Sequence, residues 1–365
     1  MLQQIWISLR VKLNQWPTLK NILLKLMDFY FYFVQAIVGN IIRIPAYFKN
    51  ILNSNVIAKP GLFSFGAILN PGALLLDDKI IILANGQKLP WFAAKGINKR
   101  FYMQGSPVLM ELKPNSQKVI SFDLVTQIND MPSGEDYAIE DFRLFAWKNN
   151  KMINHSLIHL KKNNGCVEQV GSSSALSVLN LKKKTISFCA IPNVDFSLQK
   201  FEKNWIYIES DDQLLLFYSV NPFKVLALQD EKSFSFKTIV EKQLSSKIYN
   251  PGGFGSLTSF STNPIDFDGK YWLIVIHQIK QIITGRCYFH WAVLVSKNTL
   301  IPESITSKPI FTGMGARGKT PGIRYISSVL KIGNEILFFA GEGDMYVVAT
   351  RKTVHELNKL FITLN

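Results

Sequence analysis

Cysteine is scarce in this 365-residue chain: Cys166, Cys189 and Cys287 are odd in number, far apart and in no metal-ligand spacing. A disulfide framework is excluded, and a reducing compartment fits, with the three thiols read as small core residues. Acidic residues are also short, 26 against 41 lysines and arginines, which leaves a formal net charge of +15. Such a field favours anionic partners, whether nucleic acid, acidic lipid or a phosphorylated substrate. No Walker loop, dinucleotide fingerprint or nucleophile elbow is present, and no cofactor is expected. His155 and His159 are four apart but fall on a predicted strand and its exit, where helical metal spacing has no meaning, so no metal site is expected. The basic residues lack the aromatic interleaving of RNA-binding sheets, which argues against nucleic acid. Disorder is excluded by an apolar content of 47%.

A removable signal peptide is also missing, because no short apolar core precedes a small-residue cleavage site. What stands near the start is "KNILLKLMDFYFYFVQAIVGNIIR", Lys20 to Arg43. Asn21, Lys25, Asp28, Tyr32, Gln35, Gly39 and Arg43 follow at steps of three or four, one polar stripe opposite a wide apolar face. That pattern suits a helix lying in a membrane interface; a cap packed on the domain and a true span are the other readings. Arg10, Lys12, Lys20, Lys25, Arg43 and Lys49 surround it, so an anionic membrane surface is its expected partner. Residues 1–55 are read as this basic amphipathic segment, and 56–365 as one further domain placed in the cytoplasm, peripheral to the membrane.

From about residue 56 the periodicity changes to short apolar strands separated by turn residues. One pattern occurs five times: "NPGALLLDDKIIILANG", "EDFRLFAWKNNKMINHSLI", "KNWIYIESDDQLLLFYSV", "STNPIDFDGKYWLIVIHQ" and "IRYISSVLKIGNEILFFAGEG". Each is a polar cluster, a strand, a tight turn and a second strand. The turns fall at Asp77-Asp78, Asn149-Asn150, Asp211-Asp212, Asp268-Gly269 and Gly333-Asn334, about every 57 to 72 residues. That interval holds a four-stranded sheet, and five such sheets in a ring make an all-β, five-bladed propeller.

The polar clusters occupy equivalent places: Asn70; Glu140, Asp141 and Arg143; Lys203 and Asn204; Thr262 and Asn263; Arg324. If each hairpin's first strand is the innermost of its blade, all five converge on one mouth of the central channel as a pocket. The alternative is that each caps its own strand. Strand alternation expects Asp141 and Arg143 on one face, with Glu140 and Phe142 on the other. Trp205 and Tyr325 could stack on a sugar or belong to the core. His277 and His290 could line the pocket, and Asp344 in "GEGD" could hold hydroxyls or cap a turn.

These segments resemble glycoside hydrolase family 130, the five-bladed β-propeller β-mannoside phosphorylases and hydrolases, and related mannosyltransferases. The likeness covers about residues 60 to 350. "IEDFRLF" is similar to the family's Glu-Asp-Pro-Arg strand, with Phe142 in place of proline. "KNW" followed by serine, proline and the basic Lys224 resembles its Lys-Asn-Trp hairpin. "RCYFHW" is similar to its Tyr-His-His strand, with Phe289 in place of the first histidine. The resemblance implies a carbohydrate substrate, and Asp141 as the residue that moves the proton. In glycosyl transfer from an activated sugar, Asp141 acts as general base while Arg143, Lys203, Lys224, Arg286 and Arg324 are candidates for the leaving phosphate. Because only part of a phosphate-binding set matches, transfer of a mannose-like sugar to a glycan or glycolipid is the leading expectation. A β-mannoside phosphorylase or hydrolase is the rival within the same chemistry, and a non-catalytic glycan-binding propeller the rival outside it.

Overall fold

The computed structural model describes residues 54–88, 104–133, 136–163, 166–282, 285–312, 317–318 and 323–364. The amphipathic segment expected over residues 1–55 lies outside the described residues, its last two positions excepted. Among the described residues no helix is long and apolar enough to cross a membrane.

Five sheets form the blades of a propeller. From the inside outward, blade 1 is Ala67–Leu75, Ile80–Gln87, Gln104–Leu112 and Val119–Leu124. Blade 2 is Asp136–Trp147, Asn150–Asn163, Cys166–Asn180 and Thr185–Ala190, with Gln127–Asn129 added in parallel at its edge. Blade 3 is Ile206–Ser210, Gln213–Val220, Phe223–Asp230 and Ser235–Lys242, again with a parallel edge strand, Asn193–Val194. In blade 4 the inner strand is split into Ser259–Phe260 and Ile265–Asp266, both paired with Tyr271–Ile282. Gly285–Ser296, Pro302–Thr306 and Phe361–Thr363 complete it. Blade 5 is Arg324–Ile332, Glu335–Glu342 and Tyr346–Thr353, and its fourth strand is Ser54–Ala58. The ring therefore closes through a strand that precedes blade 1, and the described part of that strand starts at Ser54.

The continuous apolar runs of the hairpins follow from this arrangement, because each sheet is covered on both faces. In blade 1, Ile80, Ile82 and Ala84 pack with Leu337 and Phe339 of blade 5. Ile81 and Leu83, on the opposite face, pack with Phe142 and Ile153 of blade 2. Separate cores of the same kind lie between blades 2 and 3, 3 and 4, and 4 and 5. Cys287 is buried in one blade and Cys189 half-buried in another.

Four of the five expected turns sit where the residue types place them; Asp211 and Asp212, for example, have φ of 50° and 60°. In blade 2 the turn is one residue earlier, at Lys148 and Asn149, because Trp147 pairs with Asn150. Lys148 takes the positive φ there. Its side chain is held by Glu231 at 2.6 Å, and its backbone N–H donates to the Glu209 carboxylate at 2.9 Å.

His155 is buried inside blade 2, where Ser177 meets its Nε2 at 2.9 Å. Burial pushes its pKa down to about 4, against a weaker opposing effect from the Ser156 backbone. The folded state thus favours the neutral ring, so its stabilisation is complete above the unfolded pKa near 6.5 and is lost as pH falls toward 4. Urea unfolding at pH 5 is expected to show stability lower than at pH 7.5 by about 2 kcal/mol from this group. The His155→Gln variant should lose that part of the difference.

Candidate functional site

Inner strands leave their ladders near their mouth-side starts. The register shifts between Leu69 and Gly72 in blade 1, between Glu140 and Arg143 in blade 2, and between Ile326 and Ser328 in blade 5. Blade 4 breaks between Phe260 and Ile265, and blade 3 enters its strand just after Asn204. Asn70, Asp141 and Asn204 all have left-handed backbone, with φ of 52°, 60° and 64°. Asparagine and aspartate are the side-chain-bearing residues that tolerate this best. A bulge re-aims the side chain it carries, and here it does so for Asn70 and Asp141 at equivalent points of blades 1 and 2, while Asn204 takes the same conformation just ahead of its strand.

The bulge corrects the alternation expected for "IEDFRLF". Phe142 joins Ile139 and Leu144 in the core between blades 1 and 2, so Glu140 is turned away from Phe142 and lies 3.8 Å from Lys203 of blade 3. Asp141 extends from the bulge. Its Oδ1 accepts from Asn70 Nδ2 of blade 1 at 2.7 Å, and its Oδ2 from Ser156 Oγ at 3.5 Å. The approach of blade 1 is made by Gly72, where a Cβ would lie 2.8 Å from the Phe142 carbonyl oxygen and 2.9 Å from the Arg143 Cα.

Arg143 is buried and crosses the channel. Its Nε donates to the Ser261 carbonyl of blade 4 at 2.7 Å. Its Nη2 donates to Asn204 Oδ1 of blade 3 at 2.9 Å and to the Tyr325 hydroxyl of blade 5 at 2.6 Å. Nη1 donates to the backbone carbonyl of Asp141 at 3.3 Å. Four of the five guanidinium N–H groups are thus engaged by protein. Deeper in the channel, beyond Arg143, a cavity of about 340 Å³ is lined by all five blades, including Ala73, Leu144, Tyr207, Ile265 and Val329.

Beside Asp141 and Arg143 stands a group of four rings. His277 and His290 are paired across adjacent strands of blade 4 with centroids 6.0 Å apart. Tyr325 lies 5.2 Å from His277 and 5.5 Å from Tyr288. His277 Nδ1 is 2.8 Å from Ser261 Oγ, and His290 Nε2 accepts the Ile326 N–H at 3.2 Å. Burial first, then the Arg143 charge, pushes the His277 pKa down to about 3 against the opposing pull of Asp141. His290 is lowered by burial, then by His277 and Arg324. Both rings are neutral at neutral pH. The Tyr288 hydroxyl is raised by burial, then by Asp344, and also by Asp141, while Arg286 opposes and hydrogen-bonds it. Arg286 and Asp344 therefore belong to the same neighbourhood as Asp141.

Several expected residues are elsewhere. Trp205 is core, its ring tilted against Tyr218 at 5.2 Å and its Nε1 donating to Glu202 at 3.3 Å. Thr262 and Asn263 pin backbone: Thr262 Oγ1 accepts the Val275 N–H, and Asn263 takes the Tyr207 N–H at 3.0 Å and donates to the Leu144 carbonyl at 3.1 Å. The Thr262 side chain is used up within blade 4, and that of Asn263 in joining blade 4 to blades 2 and 3. Arg324 turns into the sheet face, bonding Thr350 and lying over Phe311 at 5.1 Å. Lys224 sits over Phe196 at 4.1 Å and pairs with Glu241 at 3.2 Å. Asn70, Glu140, Asp141, Arg143, Lys203, Asn204, His277, Arg286, His290, Tyr325 and Asp344 are the ones brought to or around the mouth. Ser156, Ser261 and Tyr288 were not singled out from sequence; Tyr288 shares a strand face with His290, which period-two spacing could have revealed. Among the described residues no group of three or more His, Cys, Asp or Glu side chains is placed to hold a metal ion.

No protein-family model and no curated protein matches the sequence. Solved structures do match its fold. A glycosyl hydrolase from Bacteroides ovatus aligns with a TM-score of 0.57 at 13% identity, over 79% of this chain and 84% of its own. A β-1,2-mannobiose phosphorylase from Listeria innocua aligns at 0.55 and 13%, over 84% and 93%. A GDP-mannose-dependent mannosyltransferase from Leishmania mexicana aligns at 0.55 and 10%, over 82% and 88%. The chain shares their five-bladed architecture.

Because Arg143 ties blades 2, 3, 4 and 5, Arg143→Met leaves the Ser261 carbonyl and the Asn204 and Tyr325 oxygens short of a donor. Urea unfolding at pH 7.5 should show a loss of about 3 kcal/mol, with Arg143→Lys intermediate.

Proposed function

We propose that the protein is a glycosyl-transfer enzyme acting on a mannose-like sugar at the channel mouth, with Asp141 as its proton-transfer residue. The observation that carries the reading is the placement of Asp141. Its carboxylate is held out of the strand by a left-handed bulge and oriented by Asn70 of the neighbouring blade at 2.7 Å. It stands in a fold also found in a mannoside phosphorylase and a mannosyltransferase. A carboxylate fixed in this way can accept an acceptor hydroxyl proton as the sugar bond forms, or return one to a departing oxygen.

The cations left for a leaving phosphate are fewer than the sequence promised. Arg143 is largely consumed by the blades, and Arg324 and Lys224 are turned elsewhere. Of the five candidates, Arg286 and Lys203 remain as the cations near the mouth, Lys203 facing Glu140. The donor in this reading is a nucleotide-activated sugar, whose phosphate these two would meet, and the acceptor is a glycan or glycolipid. The basic amphipathic stretch within residues 1–55 supports placing the reaction at the cytoplasmic face of a membrane. One observation favours a second reading, hydrolysis: Asp344 acts on the same tyrosine as Asp141, and inverting hydrolysis requires a second carboxylate.

Purified protein should transfer sugar from GDP-mannose to a mannose-containing acceptor, and Asp141→Asn should lower the rate by about 10²- to 10⁴-fold with unfolding little changed. Release of sugar 1-phosphate from β-mannosides only when phosphate is added would replace transfer by phosphorolysis. Release of free mannose without phosphate, abolished by Asp344→Asn, would point to hydrolysis. Mannoside binding without turnover in every arm would leave a binding module.

A further inference from the structure

Between blades 3 and 4, on the mouth side, runs an open cleft of about 430 Å³. It starts at Lys203 and Asn204 and is walled on the outside by two segments, 199–204 and 249–260. Its rim is unusually apolar for a surface. Leu257 is 88% exposed, Phe201 52%, Leu198 40% and Tyr249 37%. Leu257 follows "NPGGFGS", in which Gly253 and Gly255 have φ of 64° and 69°, and a Cβ on either would meet nothing within 4 Å. These glycines serve backbone conformation and leave the loop open to solvent, so no packing against the domain accounts for the projecting leucine.

Lysines predominate around this rim, where Glu140 faces Lys203 at 3.8 Å and Asp195 accepts from Thr238. Lys200 is exposed with its Nζ 5.9 Å from the Phe201 ring centroid, Lys247 is exposed beside Tyr249, and Lys280 is exposed with its Nζ 5.1 Å from the Phe254 ring centroid. Segments 196–203 and 245–258 hold one carboxylate, Glu202. It is buried and turned inward, accepting from the Gln199 N–H, the Trp205 indole and the Tyr218 hydroxyl. The nearby exposed Glu241 is held by Lys224 at 3.2 Å. Projecting leucine and aromatic side chains ringed by lysines, with the local carboxylates neutralised or withdrawn, match a surface that is anionic outside and apolar just beneath.

We infer that the rim of the blade 3–4 cleft docks on an anionic lipid bilayer, with Leu257 and Phe201 entering its interface. The cleft then opens onto the membrane, and its inner end is Asn204, which accepts from Arg143 beside the channel mouth. This docking does not depend on the proposed chemistry, and it is separate from any contribution of residues 1–55.

The test reads the rim itself. A polarity-sensitive fluorophore is attached to the full chain at an introduced Leu257→Cys, with the unsubstituted chain carried through the same labelling to subtract the native cysteines. A second chain carries the label at Asn115→Cys, on the turn at the opposite end of blade 1. Vesicles of phosphatidylcholine containing phosphatidylglycerol should blue-shift and brighten the Leu257 probe, pure phosphatidylcholine should do so much less, and the Asn115 probe should not respond. Phe201→Ser with Leu257→Ser should lower the vesicle-bound fraction of the full chain at least about threefold. Vesicle binding with a silent Leu257 probe would assign attachment to another part of the chain and overturn the inference. So would an equal response at both positions, the absence of any vesicle binding, or a Leu257 probe that answers soluble mannan and not lipid.

Discussion

The guanidinium of Arg143 lies where four blades meet, and each of its bonds ends on a different part of the ring: a carbonyl in blade 4, an amide in blade 3, a phenol in blade 5 and a carbonyl in its own bulge. A propeller's blades otherwise touch only their immediate neighbours, through apolar faces that tolerate small slides. A buried planar cation with directional donors does not tolerate them, because each unpaired group would be left in a medium that cannot solvate it. The mouth is therefore set to hydrogen-bond precision, and the position of Asp141 next to it is inherited from that. Asn263 repeats the device deeper down, joining blade 4 to blades 2 and 3. The polar residues near the axis divide accordingly into those that hold the ring and those, such as Asp141, that it positions at the mouth.

That division explains what could be read from the sequence and what could not. The blades were legible because a hairpin with a two-residue turn declares itself locally: Asp211 and Asp212 need positive φ, and the runs on either side are apolar because both sheet faces are covered. The equivalence of the five polar clusters was legible for the same reason. What each cluster does was not, since it depends on partners that only the folded ring brings near, 71 residues away for Asn70 and 56 and 119 for Asn263. Asn263 and Asn70 look alike in sequence, yet one satisfies two backbone groups and the other orients a carboxylate. The face assignment in "IEDFRLF" failed on one residue, because period-two alternation has no means of counting a bulge. Arg324 was placed at the mouth by position, but its side chain found Thr350 and the Phe311 ring within the sheet layers.

Charge shows the same separation of roles. Among the described residues, the excess of lysine and arginine seen in the composition is not concentrated at the channel mouth. Among the described residues around Asp141 the cations are few and mostly committed, and both nearby imidazoles are kept neutral by burial. The uncommitted lysines stand outside, on the rim between blades 3 and 4 and on other surfaces. A strongly basic protein can thus have a nearly balanced channel mouth, with its long-range field set by residues other than those buried near the axis.

The strand Ser54–Ala58 finishes blade 5 by pairing with Tyr346–Thr353. In order of synthesis it is the first strand of the propeller, and in order of assembly it can be used only after the last blade exists. Until then blade 5 presents an open edge and blade 1 an uncovered apolar face. Ring closure is consequently a contact between positions nearly 300 residues apart, the kind whose loop-closure cost slows folding and lengthens the time a nascent chain exposes strand edges. The geometry that makes the mouth rigid once complete also makes its completion a late event, because Arg143 meets Tyr325 only when blade 5 is in place.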